Sequence, residues 1–103
     1  MNAFSVFGMA ATPAWHTSKI KSVYPQANGR VVFTFVDDAP SCPNANSPKY
    51  HYLSVGDNGV TQEGLNNMLS VALTAAATGR EVAINFDADT NGCQINRLLI
   101  NFE

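Results

Sequence analysis

The chain has 103 residues and 11.1 kDa, with 46% hydrophobic residues, only 14% charged and a net charge of −2. That is one domain with enough apolar material for a core, and it excludes a disordered chain, which needs low hydrophobicity and high charge. Lys and Arg are scattered singly, so no basic patch offers itself to a nucleic-acid backbone, and no apolar run approaches the ~18–20 residues of a membrane span.

Residues 1–14 read MNAFSVFGMAATPA. The apolar run Ala3–Ala11 ends in small residues, and Gly8-Met9-Ala10 before Ala11 is a candidate cleavage region. This segment reads as a signal-peptide remnant without its basic start, or as an N-terminal extension forming a strand. The domain proper is expected from Trp15 to Glu103.

WHTSKIKSVY (15–24) mixes β-branched, aromatic and polar residues and predicts a partly exposed first strand. Pro25–Gly29 is a turn, in which Asn28-Gly29 supplies positive-φ positions. RVVFTFVD (30–37) is the clearest strand, with Val31, Phe33 and Phe35 on one face and Val32, Thr34 and Val36 on the other. A proline-rich loop follows (38–48), then KYHYLSV (49–55) as a third strand. Beyond Gly56–Gly59 the period changes. Leu65, Met68, Leu69, Ala72, Leu73 and Ala76 form one helical stripe and predict a helix over 62–78. Thr61 is its N-cap, Glu63 suits the positive end of its dipole, and Gly79 is the stop, with Arg80 beside the last carbonyls. EVAINF (81–86) and QINRLLINF (94–102) are the fourth and fifth strands, joined by the turn-rich DADTNG.

The order β-β-β-α-β-β is that of a five-stranded OB-fold barrel, mainly β with one helix. Cys42 and Cys93 are an even count in polar, turn-rich sequence and read as a disulfide, the alternative being two buried free thiols. In that barrel the third and fifth strands are parallel neighbours, and the two cysteines precede or open them. The bridge would then be within reach and, by chain entropy, a loop of about 50 residues is worth about 4 kcal/mol.

Catalytic motifs are missing: the sequence has no G-x-S-x-G, no H-E-x-x-H and no Walker glycine loop. The expectation is therefore a non-enzymatic protein without cofactor. Two Cys and two distant His fall short of a zinc set, and a disulfide would consume the thiol of any Cys–His pair. Asp87, Asp89, Asn91 and Gly92 begin like a calcium loop, but Leu98 stands where the closing Glu belongs, so a polar turn is expected. His51, between Tyr50 and Tyr52, reads as a partly exposed sheet residue.

The helix carries no charge between Glu63 and Arg80. Its second face, with Asn66, Asn67, Ser70, Thr74 and Thr78 beside Val71 and Ala75, is small and neutral. Either loops cover it in a monomer or it faces other subunits; a chain this short has few loops to spare. The interface candidates are Asn67, Ser70, Val71, Thr74 and Thr78.

The stretch Asn66–Phe102, with the neutral helix NNMLSVALTAAATGR, the strand EVAINFD, a Cys and the strand INRLLINF, resembles the B subunits of bacterial AB-type toxins, especially subtilase cytotoxin B-like proteins. Leu73, Ala76, Arg80, Val82 and Ile84 carry the pattern. The resemblance implies a secreted or periplasmic OB-fold subunit, a homopentameric ring with helices lining its centre, cell-surface glycans as ligands and a catalytic A subunit as a partner. It puts the hydroxyl-bearing position of the first strand at His16 or Thr17, an acidic group at Asp37, and a late fourth-strand position at Asn85 or Phe86, where the family has an aromatic. Trp15, the only tryptophan, can supply a stacking face beside them. The glycan candidates are thus Trp15, His16, Thr17, Asp37 and Asn85. The alternative is an exported structural or partner-binding protein of the same fold.

Overall fold

The structure, a computed structural model, describes residues 12–102. The leader-like residues 1–11 lie outside the described residues. The elements follow in the expected order: β1 (Pro13–Pro25), β2 (Val31–Phe35), β3 (Tyr50–Leu53), α1 (Gln62–Thr78), β4 (Glu81–Asp87) and β5 (Ile95–Leu99). β1 begins two residues before the expected domain start. Pro13 and Ala14 pair with Asp87 and Phe86 and so extend the sheet.

The sheet order is β3-β2-β1-β4-β5, with every hydrogen-bonded pair antiparallel. β1 changes partner midway. Its first half, Pro13–Lys19, pairs with β4; its second half, Ile20–Pro25, pairs with β2, with an irregularity between Ile20 and Ser22 just past the switch. A strand that switches partner across a bulge curls the sheet toward a barrel. β3 and β5, at the two ends, thereby run parallel and meet, as in an OB-fold.

Side chains do most of the closing at that seam. One backbone bond joins the strands' ends, from Tyr52 N–H to the Gly92 carbonyl at 2.9 Å. Cys42 and Cys93 are bridged, with their Cα atoms 5.7 Å apart. The buried Asn44 amide donates to the Tyr50 carbonyl at 2.9 Å and the Asn91 carbonyl at 3.0 Å. His51 corrects the expectation of a partly exposed residue. It is 1% exposed, packed edge-on between Phe35 and Phe86, and its Nδ1–H donates to the Cys93 carbonyl at 3.1 Å. Tyr50 and Tyr52 take the outer face and His51 and Leu53 the inner one, so a polar residue occupies a core position.

Val31, Phe33 and Phe35 of β2 point into the core with Leu53, Val82, Ile84, Phe86 and Ile95. Val32 and Thr34 are buried too, because β2 is an inner strand. In register they are flanked by Tyr24 and Tyr52, and by Ser22 and Tyr50. Helix α1 closes the core with Leu65, Ala72 and Ala75. Thr61 caps it, accepting from Gly64 N–H at 3.0 Å, and Gly79 ends it in the left-handed region at φ 70°. The Arg80 side chain departs from expectation: its backbone N–H bonds the Ala75 carbonyl, while its guanidinium reaches the Asn101 carbonyl and the Phe102 ring.

The helical stripe is also rotated. Leu73 is 50% exposed and Ala76 is exposed, whereas Ala75 is buried. Burial drifts from Leu65 and Leu69 toward Val71, Ala72 and Ala75. A straight helix meets a curved sheet along a line that need not follow the 3.6-residue period.

Candidate functional site

β1 and β4 run antiparallel in register, and β5 extends the row. Trp15 lies opposite Asn85, and Asn85 opposite Arg97. The period of two puts Pro13, Trp15, Thr17 and Lys19 on the outer face and Ala14, His16 and Ser18 toward the core. Trp15 is 54% exposed, with the Arg97 guanidinium 6.0 Å from its ring centre. Asn85, flanked by these two long side chains, is only 8% exposed. Thr17, one step along the same face, lines an open cleft of about 380 Å³ with Lys19, Arg80, Glu81 and Asn101. The face therefore combines an aromatic surface, cationic donors and small polar groups, the set that suits a hydroxyl-rich ligand.

The five glycan candidates do not form one cluster. Trp15, Thr17 and Asn85 share the outer face. His16 points the other way, edge-on to Phe35, with its Nε2–H donating to the Asp37 carbonyl at 2.6 Å. Asp37 sits beside this inner side, its N–H donating to Ser18 Oγ at 3.0 Å. Phe86, the other choice for the late fourth-strand position, is fully buried in the core. Arg97, Lys19 and Arg80 are the residues that sequence reading missed. The outward phase of INRLL carries a signal for Arg97; nothing local links Arg80 to β1.

A second surface lies on α1. Asn67, Ser70, Thr74 and Thr78 are exposed and Val71 is half-buried against the core, so no loop among the described residues covers this face. Thr74 Oγ1 donates to the Ser70 carbonyl at 3.0 Å, and Thr78 Oγ1 to the Thr74 carbonyl at 2.8 Å. With hydroxyls bonded back to the preceding turn, both threonines offer mainly methyl groups to a neighbour. Val71 and Thr74 also line an apolar groove of about 410 Å³ with Leu98, Leu99, Ile100 and Phe102. Phe102 is 70% exposed.

Cys42, His51 and Cys93 bring potential metal-ligand atoms within 4.8 Å of one another, but both sulfurs are held in the disulfide. In the Asp87–Gly92 turn the carboxylates serve the turn itself: Asp89 N–H donates to Asp87 Oδ1 and Thr12 Oγ1 to Asp89 Oδ2, each at 2.8 Å.

No protein-family model matches the chain, and no curated protein matches its sequence. Solved structures do share its fold. The cholera toxin-like B-subunit from Citrobacter freundii aligns over 98% of both chains with a TM-score of 0.67 at 13% identity. The human heat-labile enterotoxin in complex with a blood group A antigen analog aligns over 98% of this chain and 97% of its own, with a TM-score of 0.63 at 13% identity. The GM1-bound form of the ECX AB5 holotoxin aligns over 100% and 97%, with a TM-score of 0.66 at 11% identity. The chain has the OB-type fold of toxin B subunits.

Proposed function

We propose that this protein is the ring-forming, glycan-binding subunit of an AB-type toxin, a homopentamer of the subtilase cytotoxin B-like kind that carries a catalytic partner. One observation carries the reading: a chain with the B-subunit fold joins an uncovered, charge-free helix face to an exposed Trp-centred polar row on a separate surface. The first is what a closed ring buries and the second is what a ring displays. Two of the structures that share the fold hold glycans, a blood group A antigen analog and GM1. The Cys42–Cys93 disulfide supports export to an oxidising compartment, the periplasm or the exterior.

On this reading Trp15 offers a ring face to the apolar side of a sugar, while Thr17, Asn85 and Arg97 hydrogen-bond its hydroxyls or its carboxylate. His16 and Asp37 act behind β1 by fixing its path. One shallow site gives about millimolar affinity, about −4 kcal/mol. Copies on a ring raise avidity by ~10²–10⁴ with no new contact.

Light scattering and a dense glycan array test the proposal together. The expected results are a multimer in solution and array binding that Thr17→Phe abolishes without changing the mass. Thr74→Asp brings like charges together around one axis and is expected to yield folded monomers. A wild-type monomer would overturn the ring. A silent array would leave the same fold serving an exported, non-enzymatic partner-binding role.

A further inference from the structure

We propose that the reduced form of this chain binds one Zn²⁺ ion at the β3–β5 seam, through Cys42, Cys93 and His51. The proposal goes beyond the glycan reading and uses none of the outer-face residues. Both sulfurs and a ring nitrogen of His51 lie within 4.8 Å of one another, and all three residues are buried. His51 comes from β3, Cys93 from the turn before β5 and Cys42 from the proline-rich loop, so only closure of the barrel assembles the set. The cysteine Cα atoms stand 5.7 Å apart, close enough for both sulfurs to reach one ion through bonds of about 2.3 Å.

The surroundings suit such an ion. One His51 nitrogen donates to the Cys93 carbonyl at 3.1 Å, which fixes the ring and leaves the other nitrogen its lone pair. Metal-bound histidines are held in this way. The Asn44 amide nitrogen lies 3.1 Å from Cys42 Sγ and 3.7 Å from Cys93 Sγ. In the reduced chain that amide becomes a donor to thiolates, the state of sulfur that binds metal. Phe35 and Phe86 pack edge-on to the His51 ring and keep its side of the site dry. The donors are sulfur and nitrogen, which select a thiophilic cation over Ca²⁺ or Mg²⁺. Two thiolates cancel the charge of Zn²⁺ and a neutral imidazole adds none, so the buried site carries no net charge.

A two-electron reductant such as a dithiol opens the bridge. The S–S bond breaks, two electrons and two protons make two thiols, and the dithiol leaves as its own disulfide. Zn²⁺ then replaces both thiol protons, which pass to solvent, and accepts the His51 lone pair, with a water in the fourth tetrahedral position. The seam thus has two staples: a covalent bridge in oxidising surroundings and a metal ion in reducing ones.

The full chain, reduced with a phosphine, freed of it and titrated with Co²⁺ and then Zn²⁺, tests the proposal. One equivalent of Co²⁺ is expected to give thiolate charge-transfer absorption and the strong visible bands of a tetrahedral ion, and Zn²⁺ to bleach both. Native mass should show one Zn²⁺ per reduced chain and none on the oxidised chain. Zn²⁺ should also raise the urea midpoint of the reduced chain and leave that of the oxidised chain unchanged. His51→Gln is expected to weaken Zn²⁺ binding about a hundredfold or more. Far-UV spectra of each reduced sample report the fold; if reduction alone unfolds the chain, Zn²⁺ is expected to refold it. Absent cobalt bands, a reduced chain that Zn²⁺ neither stabilises nor refolds, equal binding by the oxidised chain, or a His51→Gln chain that binds like wild type would each overturn the proposal.

Discussion

The β3–β5 seam and the outer β1–β4–α1 surface put their side chains to opposite ends. At the seam, Asn44, His51 and the two cysteines are buried, and each is bonded across the closure. On the outer surface, Trp15, Leu73 and Phe102 are exposed, and no element among the described residues covers them. The difference separates side chains that hold the barrel closed from side chains that face solvent. A short barrel that lacks a β3–β5 ladder needs specific side chains to hold its ends together. The exposed apolar surface adds nothing to the stability of a single chain and is available to a partner.

The largest expected effect comes from opening the seam covalently. Replacing Cys42 and Cys93 together by Ala should lower unfolding free energy by about 4 kcal/mol, measured by urea denaturation. A loss below about 1 kcal/mol would mean that the seam holds without its bridge.

Acid should open the seam next. Burial outweighs the Cys93 hydrogen bond and pushes the His51 pKa down to about 4 from 6.5. The folded protein therefore holds His51 neutral while the unfolded chain takes up a proton. Stability from this residue is present above pH 6.5 and is lost as pH falls toward 4, up to about 3 kcal/mol in all. Urea midpoints measured between pH 7 and pH 4 should show this slope, and His51→Gln should remove it.

Asn44→Ala should cost about 2 kcal/mol, since it leaves the Tyr50 and Asn91 carbonyls without their shared donor at a buried site. The contrast sharpens at the other surface. Trp15→Ala should change the stability of the folded chain by less than about 0.5 kcal/mol, because the ring is half exposed and anchors little, while on the proposed function it should remove array binding. A large stability loss at Trp15 would instead mark it as structural.

Local chemistry made much of this molecule legible. The α1 boundaries follow from a Thr cap, a Gly stop and an apolar stripe, and the structure has the helix at Gln62–Thr78 as expected. Alternation located the strands to within a few residues. The pairing of Cys42 with Cys93 followed from two cysteines and a strand order. His51 was misread because a histidine between two tyrosines has no local sign of depth; its burial comes from Phe35 and Phe86 on other strands. Leu73 was assigned to the core by period, but the curvature of the sheet exposes it. His16 and Thr17 are sequence neighbours, and the pleat sends them to opposite faces.

Composition, period and capping thus determined the elements, their order and the absence of charge on one helix face, since each depends on residues close along the chain. The tertiary structure decided which side chains meet. Register set Asn85 between Trp15 and Arg97, and the closure brought His51 to the Cys93 carbonyl across the β3–β5 seam. Those contacts depend on strand pairing and curvature over long sequence separations, which no local pattern encodes.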